Sequence, residues 1–167
     1  MCIRDRFLTV FLVVAICTGL VLLALSAWRR RRKEQTIKFS APAEALGGET
    51  LANAWGQYVA TTFLGDPLNR VTAYGLGFRG RAEIRVCETG LVIERKGERH
   101  LAIGSEQILG LDFEQATIDR VVEKDGLVAI NWRQDSTNLT TFLRFNTAAD
   151  RNRIVGASEV LARKATR

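Results

Sequence analysis

The chain has 167 residues, 24 Lys and Arg against 18 Asp and Glu, a net charge of +6 and a single histidine. That charge does not mark a nucleic-acid binder, because from Trp55 onward 16 cations face 14 carboxylates and most of the excess lies in the run Arg29, Arg30, Arg31, Arg32, Lys33. Three cysteines without metal-ligand spacing imply neither a disulfide framework nor a metal centre.

The first six residues, Met1-Cys2-Ile3-Arg4-Asp5-Arg6, resemble a translated sequencing-adapter leader and are expected to be non-native. From Phe7 to Trp28 no residue is charged. At 1.5 Å per residue a helix of that length covers roughly 33 Å, enough to span a bilayer core. Trp28 stands where an aromatic ring prefers the headgroup layer, and Arg29 to Lys33 read as a cytoplasmic stop-transfer cluster and membrane-surface anchor. The expected topology places the N-terminus outside and the C-terminal domain inside the cell membrane. A cleaved signal peptide is the competing reading, but the apolar region is too long for one and is followed by the arginine cluster.

Residues 29–54 are expected to form the basic cluster and a linker. Glu34 to Ala54 mix charge, Ala, Gly47-Gly48 and Pro42 without a sustained period, as a tether would, and a short helix around Ala43 to Trp55 is the alternative. The domain is expected over 55–167. After Gly80 the period becomes two: Ala82, Ile84 and Val86 alternate with Arg81, Glu83 and Arg85. Further short runs follow at Gly90 to Arg95, at Leu101 and Ile103, at Ile108 to Glu114 and around Ile118, Val121 and Val122. An Asp125-Gly126 hairpin signal precedes Leu127 to Trp132 and Leu139 to Phe145. About seven strands from Gly80 on, joined by turns, predict an antiparallel sheet curled into a barrel or sandwich. A helical period over 147–165 opens with Thr147 as cap and Asp150 reaching back to it, and places Ile154, Val155, Ser158, Leu161, Ala162 and Ala165 on one face.

This order of elements, with Tyr58-Val59-Ala60-Thr61-Thr62, Tyr74-Gly75-Leu76-Gly77-Phe78-Arg79-Gly80, Gly90-Leu91-Val92-Ile93 and Val128-Ala129-Ile130-Asn131-Trp132, resembles the small actinobacterial single-span membrane proteins with a pleckstrin-homology-like (PH-like) domain. Members are often labelled only as transporters or membrane proteins. The resemblance implies a PH-like fold and a membrane location, and it carries no catalytic residues.

Gly75-Leu76-Gly77-Phe78-Arg79-Gly80 fits a dinucleotide fingerprint in letters only, since a strand rather than a helix follows it. His100 and Cys87 have no partners that would make a triad or a metal site. No catalytic residue, metal or cofactor is expected. Arg79, Arg81, Arg95, Lys96 and Arg99 are the candidates for one rim that holds a ligand or lipid headgroup, but Glu83, Glu94 and Glu98 interleave with them, which favours ordinary cross-strand pairing on a solvated face. The functional expectation is a membrane-anchored, non-enzymatic binding or scaffold module that meets membrane lipid through its span and basic cluster and an unidentified protein through its domain. A lipid-headgroup sensor and an accessory subunit of a transporter are the alternatives.

Overall fold

The computed structural model describes residues 3–114, 116–117, 120–121 and 127–165. The chain divides into two compact units, Met1–Glu34 and Gln35–Arg167. The first is helical. Helix α1 (Ile3–Lys38) is long and apolar enough to cross a membrane, and the apolar side chains from Phe7 to Leu25 that it displays are exposed.

In the second unit an antiparallel sheet is built from β1 (Thr50–Phe63), β2 (Asp66–Arg70), β3 (Gly80–Cys87), β4 (Gly90–Arg95), β5 (Leu101–Gly104), β6 (Ile108–Glu114), β9 (Leu127–Gln134) and β10 (Thr137–Phe145). Its spatial order is β5-β4-β3-β1-β10-β9-β6, with β2 folded back on β1. Two short strands, β7 (Ala116–Thr117) and β8 (Arg120–Val121), pair with each other, and helix α2 (Ala148–Ala165) closes the unit. Among the described residues β5 and β6 do not pair, so the curled sheet is not closed. The expected run around Ile118 and Val122 and the Asp125-Gly126 turn lie outside the described residues.

The core follows strand parity. Ala82, Ile84 and Val86 of β3, Leu91 and Ile93 of β4, and Val128, Ile130 and Trp132 of β9 point inward and are fully buried. Helix α2 adds Ile154, Val155 and Leu161, and Thr147 caps it as anticipated, its hydroxyl accepting the Asp150 amide at 3.1 Å and donating to the Asp150 carboxylate at 2.8 Å.

Two strands precede Gly80, against the expectation that the sheet starts there, and β1 begins at Thr50 rather than after Trp55. The hydropathy of β1 conceals it: its inward positions are the small residues Ala52, Ala54 and Gly56, while Leu51 and Trp55 point outward. A Cβ at Gly56 would lie 2.7 Å from the Arg144 carbonyl oxygen, so the close approach of β10 requires glycine there.

The stretch before β1 is no tether: α1 runs on to Lys38, and the helix considered around Ala43 to Trp55 does not form. Gln35 is 4% exposed. Its Oε1 accepts the amides of Thr72 (2.7 Å) and Ala73 (3.1 Å) and the Thr72 hydroxyl, while its Nε2 donates to the Arg70 carbonyl. Phe39 is buried beside Tyr74, whose hydroxyl donates to the Phe39 carbonyl. The Ser40 amide donates to Asp135 at 2.6 Å, and Ala43 forms a bridge to Ala102 on the β5 edge. Residues 35–49 are therefore a strap across the sheet. The sequence conceals it because its anchors are one amide, one ring and backbone groups, with no period for a pattern search to find.

Gln35→Ala leaves the half-buried Thr72 amide and the buried Ala73 amide without their acceptor, and a loss of about 1–3 kcal/mol is expected for the unit Gln35–Arg167 in urea unfolding, whereas Ile37→Ala, at a side chain 84% exposed, leaves the midpoint unchanged. A chain begun at Trp55 is expected to show no cooperative transition.

Candidate interaction surface

A bulge in β1 between Tyr58 and Ala60 sends both Tyr58 and Thr61 into the interior, three residues apart. The Tyr58 hydroxyl lies 2.6 Å from the Thr61 hydroxyl and donates to the Leu76 carbonyl at 2.7 Å; Thr61 meets the Thr141 hydroxyl at 2.8 Å, and the Trp132 indole donates to Thr141 at 2.9 Å. Buried polar groups are affordable where each meets a partner, as these do. Desolvation pushes the Tyr58 phenol up, beyond the downward pull of the Thr61 bond and the Arg95 charge.

The glycine-rich stretch folds back on this network. Tyr74 (φ 54°) and Gly75 (φ 72°) take left-handed conformations, Leu76 is buried, and Thr61 donates its amide to Leu76. At Gly80 a strand starts, so no helix N-terminus is present to receive a pyrophosphate.

Arg95 corrects the expected rim. It occupies an inward position of β4, paired with Ala82, and is 2% exposed. Its guanidinium stacks 4.8 Å from the Tyr58 ring and donates to the carbonyls of Gly75, at 2.7 Å, and Arg99. Burial lowers its pKa. It ties the glycine-rich loop to the β4–β5 turn and presents no charge to a ligand. The alternation of β4 signals this, since Leu91, Ile93 and Arg95 share parity.

The other four cations do not converge either. Arg99 pairs with Glu44 of the strap at 2.7 Å, and Arg79 is exposed in the loop. Arg81 and Lys96 are exposed outward neighbours on β3 and the end of β4, with the Lys96 amide donating to the Arg81 carbonyl. Exposed His100 lines a shallow cleft with Ala41, Pro42, Glu44, Tyr74, Leu76, Arg99 and Leu101. With a volume of about 10 Å³ it has room for little more than a water molecule, far below the ~300 Å³ at which small-molecule pockets begin. Cys87 is buried against Val92 and Ala102 and behaves as a small apolar residue. Sequence reasoning missed two outward residues beside Arg81: Arg144, across Gln57 on β10, and exposed Trp55. Register, which no single strand reveals, brings them together.

A family model described as Bacterial PH domain-like matches residues 36–159. Among solved structures the chain is similar to a chain of "The 8S snRNP Assembly Intermediate", with a TM-score of 0.50 and 9% identity over 74% of this chain and 89% of that one. It is also similar to the C-terminal domain of an unknown protein from Leishmania infantum (TM-score 0.45, 12% identity, 86% and 99% covered) and to the Ran binding domain of Nup2 from Ashbya gossypii (0.41, 14%, 70% and 97%). At these identities the likeness is one of fold. No curated protein matches.

Arg95→Met keeps the apolar stem and removes a costly buried charge whose acceptor carbonyls belong to residues water reaches. Its stability is expected within about 1 kcal/mol of wild type in urea, while Arg95→Ala loses about 3 kcal/mol through the cavity. Because the native state holds the Tyr58 proton more tightly than the unfolded chain, this stabilisation is complete below about pH 10 and declines as pH rises further. Tyr58→Phe is expected to flatten that alkaline decline in thermal melts.

Proposed function

The chain belongs to the bacterial PH domain-like family, and from that premise we propose that it is a non-enzymatic binding module, held at the cell membrane by one N-terminal span with its sheet unit in the cytoplasm. Domains of this kind are generally binding modules rather than catalysts. A sheet framework of this type offers rims and outer faces on which recognition residues can stand, and the ligand depends on those residues rather than on the fold.

The observation that carries the anchoring is the helix from Phe7 to Trp28. Phe7, Phe11 and Leu23 are among its apolar side chains left 67% or more exposed, and none of its most apolar window is buried within the chain. Such a helix is satisfied by lipid, in which its backbone amides are already paired. The cluster Arg29 to Lys33 favours the cytoplasmic leaflet, and Arg32 lies 5.6 Å from the Trp28 ring, the pairing of cation and aromatic that suits a headgroup layer. A protein partner for the sheet unit is the reading favoured over a nucleic acid, because the unit's charge is nearly balanced.

The full chain is expected to stay with membranes through an alkaline carbonate wash, and the unit Gln35–Arg167 to be found in the soluble fraction; release of the full chain by the wash overturns the anchoring. In affinity purification from gently solubilised membranes, a partner retained by the sheet unit alone supports the binding module. A partner retained by the span alone would instead indicate an accessory membrane subunit.

A further inference from the structure

Outward residues of neighbouring strands are brought side by side by register. Gln57 of β1 pairs with Arg144 of β10 on one side and with Arg81 of β3 on the other, and Lys96 follows Arg81 across the next strand boundary. The row Arg144-Gln57-Arg81-Lys96 crosses four strands, about 14 Å at the usual strand spacing. All four side chains are exposed, and among the described residues none of the three cations makes an ion pair. The nearest row of carboxylates is otherwise engaged: Glu94 pairs with Arg85, and Glu83 accepts from Asn53. Arg81 and Lys96 are like charges side by side on the sheet face, which is unfavourable, and Arg144 adds a third cation two strands from Arg81, a repulsion in the free protein that an anion would relieve.

Trp55 lies one outward step along β1 from Gln57, about 7 Å away, and is 61% exposed. Tryptophan and arginine are the residues most concentrated at the energetic centres of protein interfaces. Leu51, 47% exposed, extends the same strand face.

We infer that this outer face of β10, β1 and β3, with Arg144, Arg81 and Lys96 in a row beside Trp55, docks an acidic segment of a partner protein. Glu83 and Glu94 decide between a peptide and a membrane. A bilayer would present phosphates to the whole face, the two glutamates included, whereas a peptide crossing the strands sets its carboxylates along the cation row and an apolar side chain on Trp55. The inference rests on the binding-module reading and names its surface.

The test uses the full chain in nanodiscs of phosphatidylcholine and a short labelled peptide of glutamates around one leucine, followed by fluorescence anisotropy. Binding that weakens with added salt is expected, with the lysine counterpart of the peptide not bound. The triple variant R81E/K96E/R144E is expected to bind about tenfold more weakly or worse and to lose most of the salt dependence; W55A weakens binding and keeps it. Arg133→Glu, about 20 Å along the neighbouring strand from the row, serves as the control expected to bind like wild type. Wild-type affinity in the triple variant, or no charge-selective binding, overturns the inference. So does displacement of the peptide when the nanodiscs are made of phosphatidylglycerol, which would assign the face to lipid. Failure of membrane retention in the carbonate wash would leave this surface standing, and failure here would leave the anchoring untouched.

Discussion

The one-residue bulge in β1 is the constraint on which the sheet unit depends. Before it, Ala52, Ala54, Gly56 and Tyr58 face inward; after it, Thr61 and Phe63 do. A strand of strict period two could not place Tyr58 and Thr61 on one side. The strand pairs with β3 from Thr50 to Tyr58 and with β10 from Gly56 to Phe63, with the bulge where the β3 pairing ends. Val59 keeps the outward parity of Trp55 and Gln57 and is buried with Leu127, Ala129 and Phe142 in a second apolar cluster on the outer side.

What the bulge brings together is polar. Tyr58, Thr61, Thr141 and Trp132 form a chain of hydrogen bonds through the interior, and Arg95 covers it at the Tyr58 ring. An arginine there is tolerated because an aromatic face and carbonyl oxygens replace the water it gives up. Its position also fixes two turns, since Gly75 and Arg99 lie on different loops and share one guanidinium. Charge that looked like recognition in the sequence is thus, at Arg95, used for architecture.

The limits of sequence reading follow from the same physics. The strand limits of β4 and the cap of α2 were legible because local alternation and a Thr-to-Asp spacing each carry their own signal. The start of the first strand was not, because over Leu51 to Gly56 the large side chains point outward and the small ones inward, the reverse of the usual pattern. The strap was not, because its contacts join Gln35 to Thr72 and Ser40 to Asp135, pairs far apart in the chain. Arg144 belonged beside Arg81 only once Gln57 was known to separate them. Cross-strand neighbours are a property of register, and register is set by the whole sheet.

The place of β1 in the sheet also governs when the protein can fold. This strand is the first of the sheet to be made, yet one of its two long partners is β10, roughly eighty residues downstream. The centre of the sheet must therefore wait for β10, and loop closure over that distance sets a slow step. Until then the first half of the unit has an unpaired inner strand, with Trp55 and Leu51 already displayed. For such a nascent chain the hazard is association with another strand before β10 is made, and the strap, made before β1 and able to reach the β5 edge as soon as Ala102 has emerged, covers the other exposed edge ahead of that pairing.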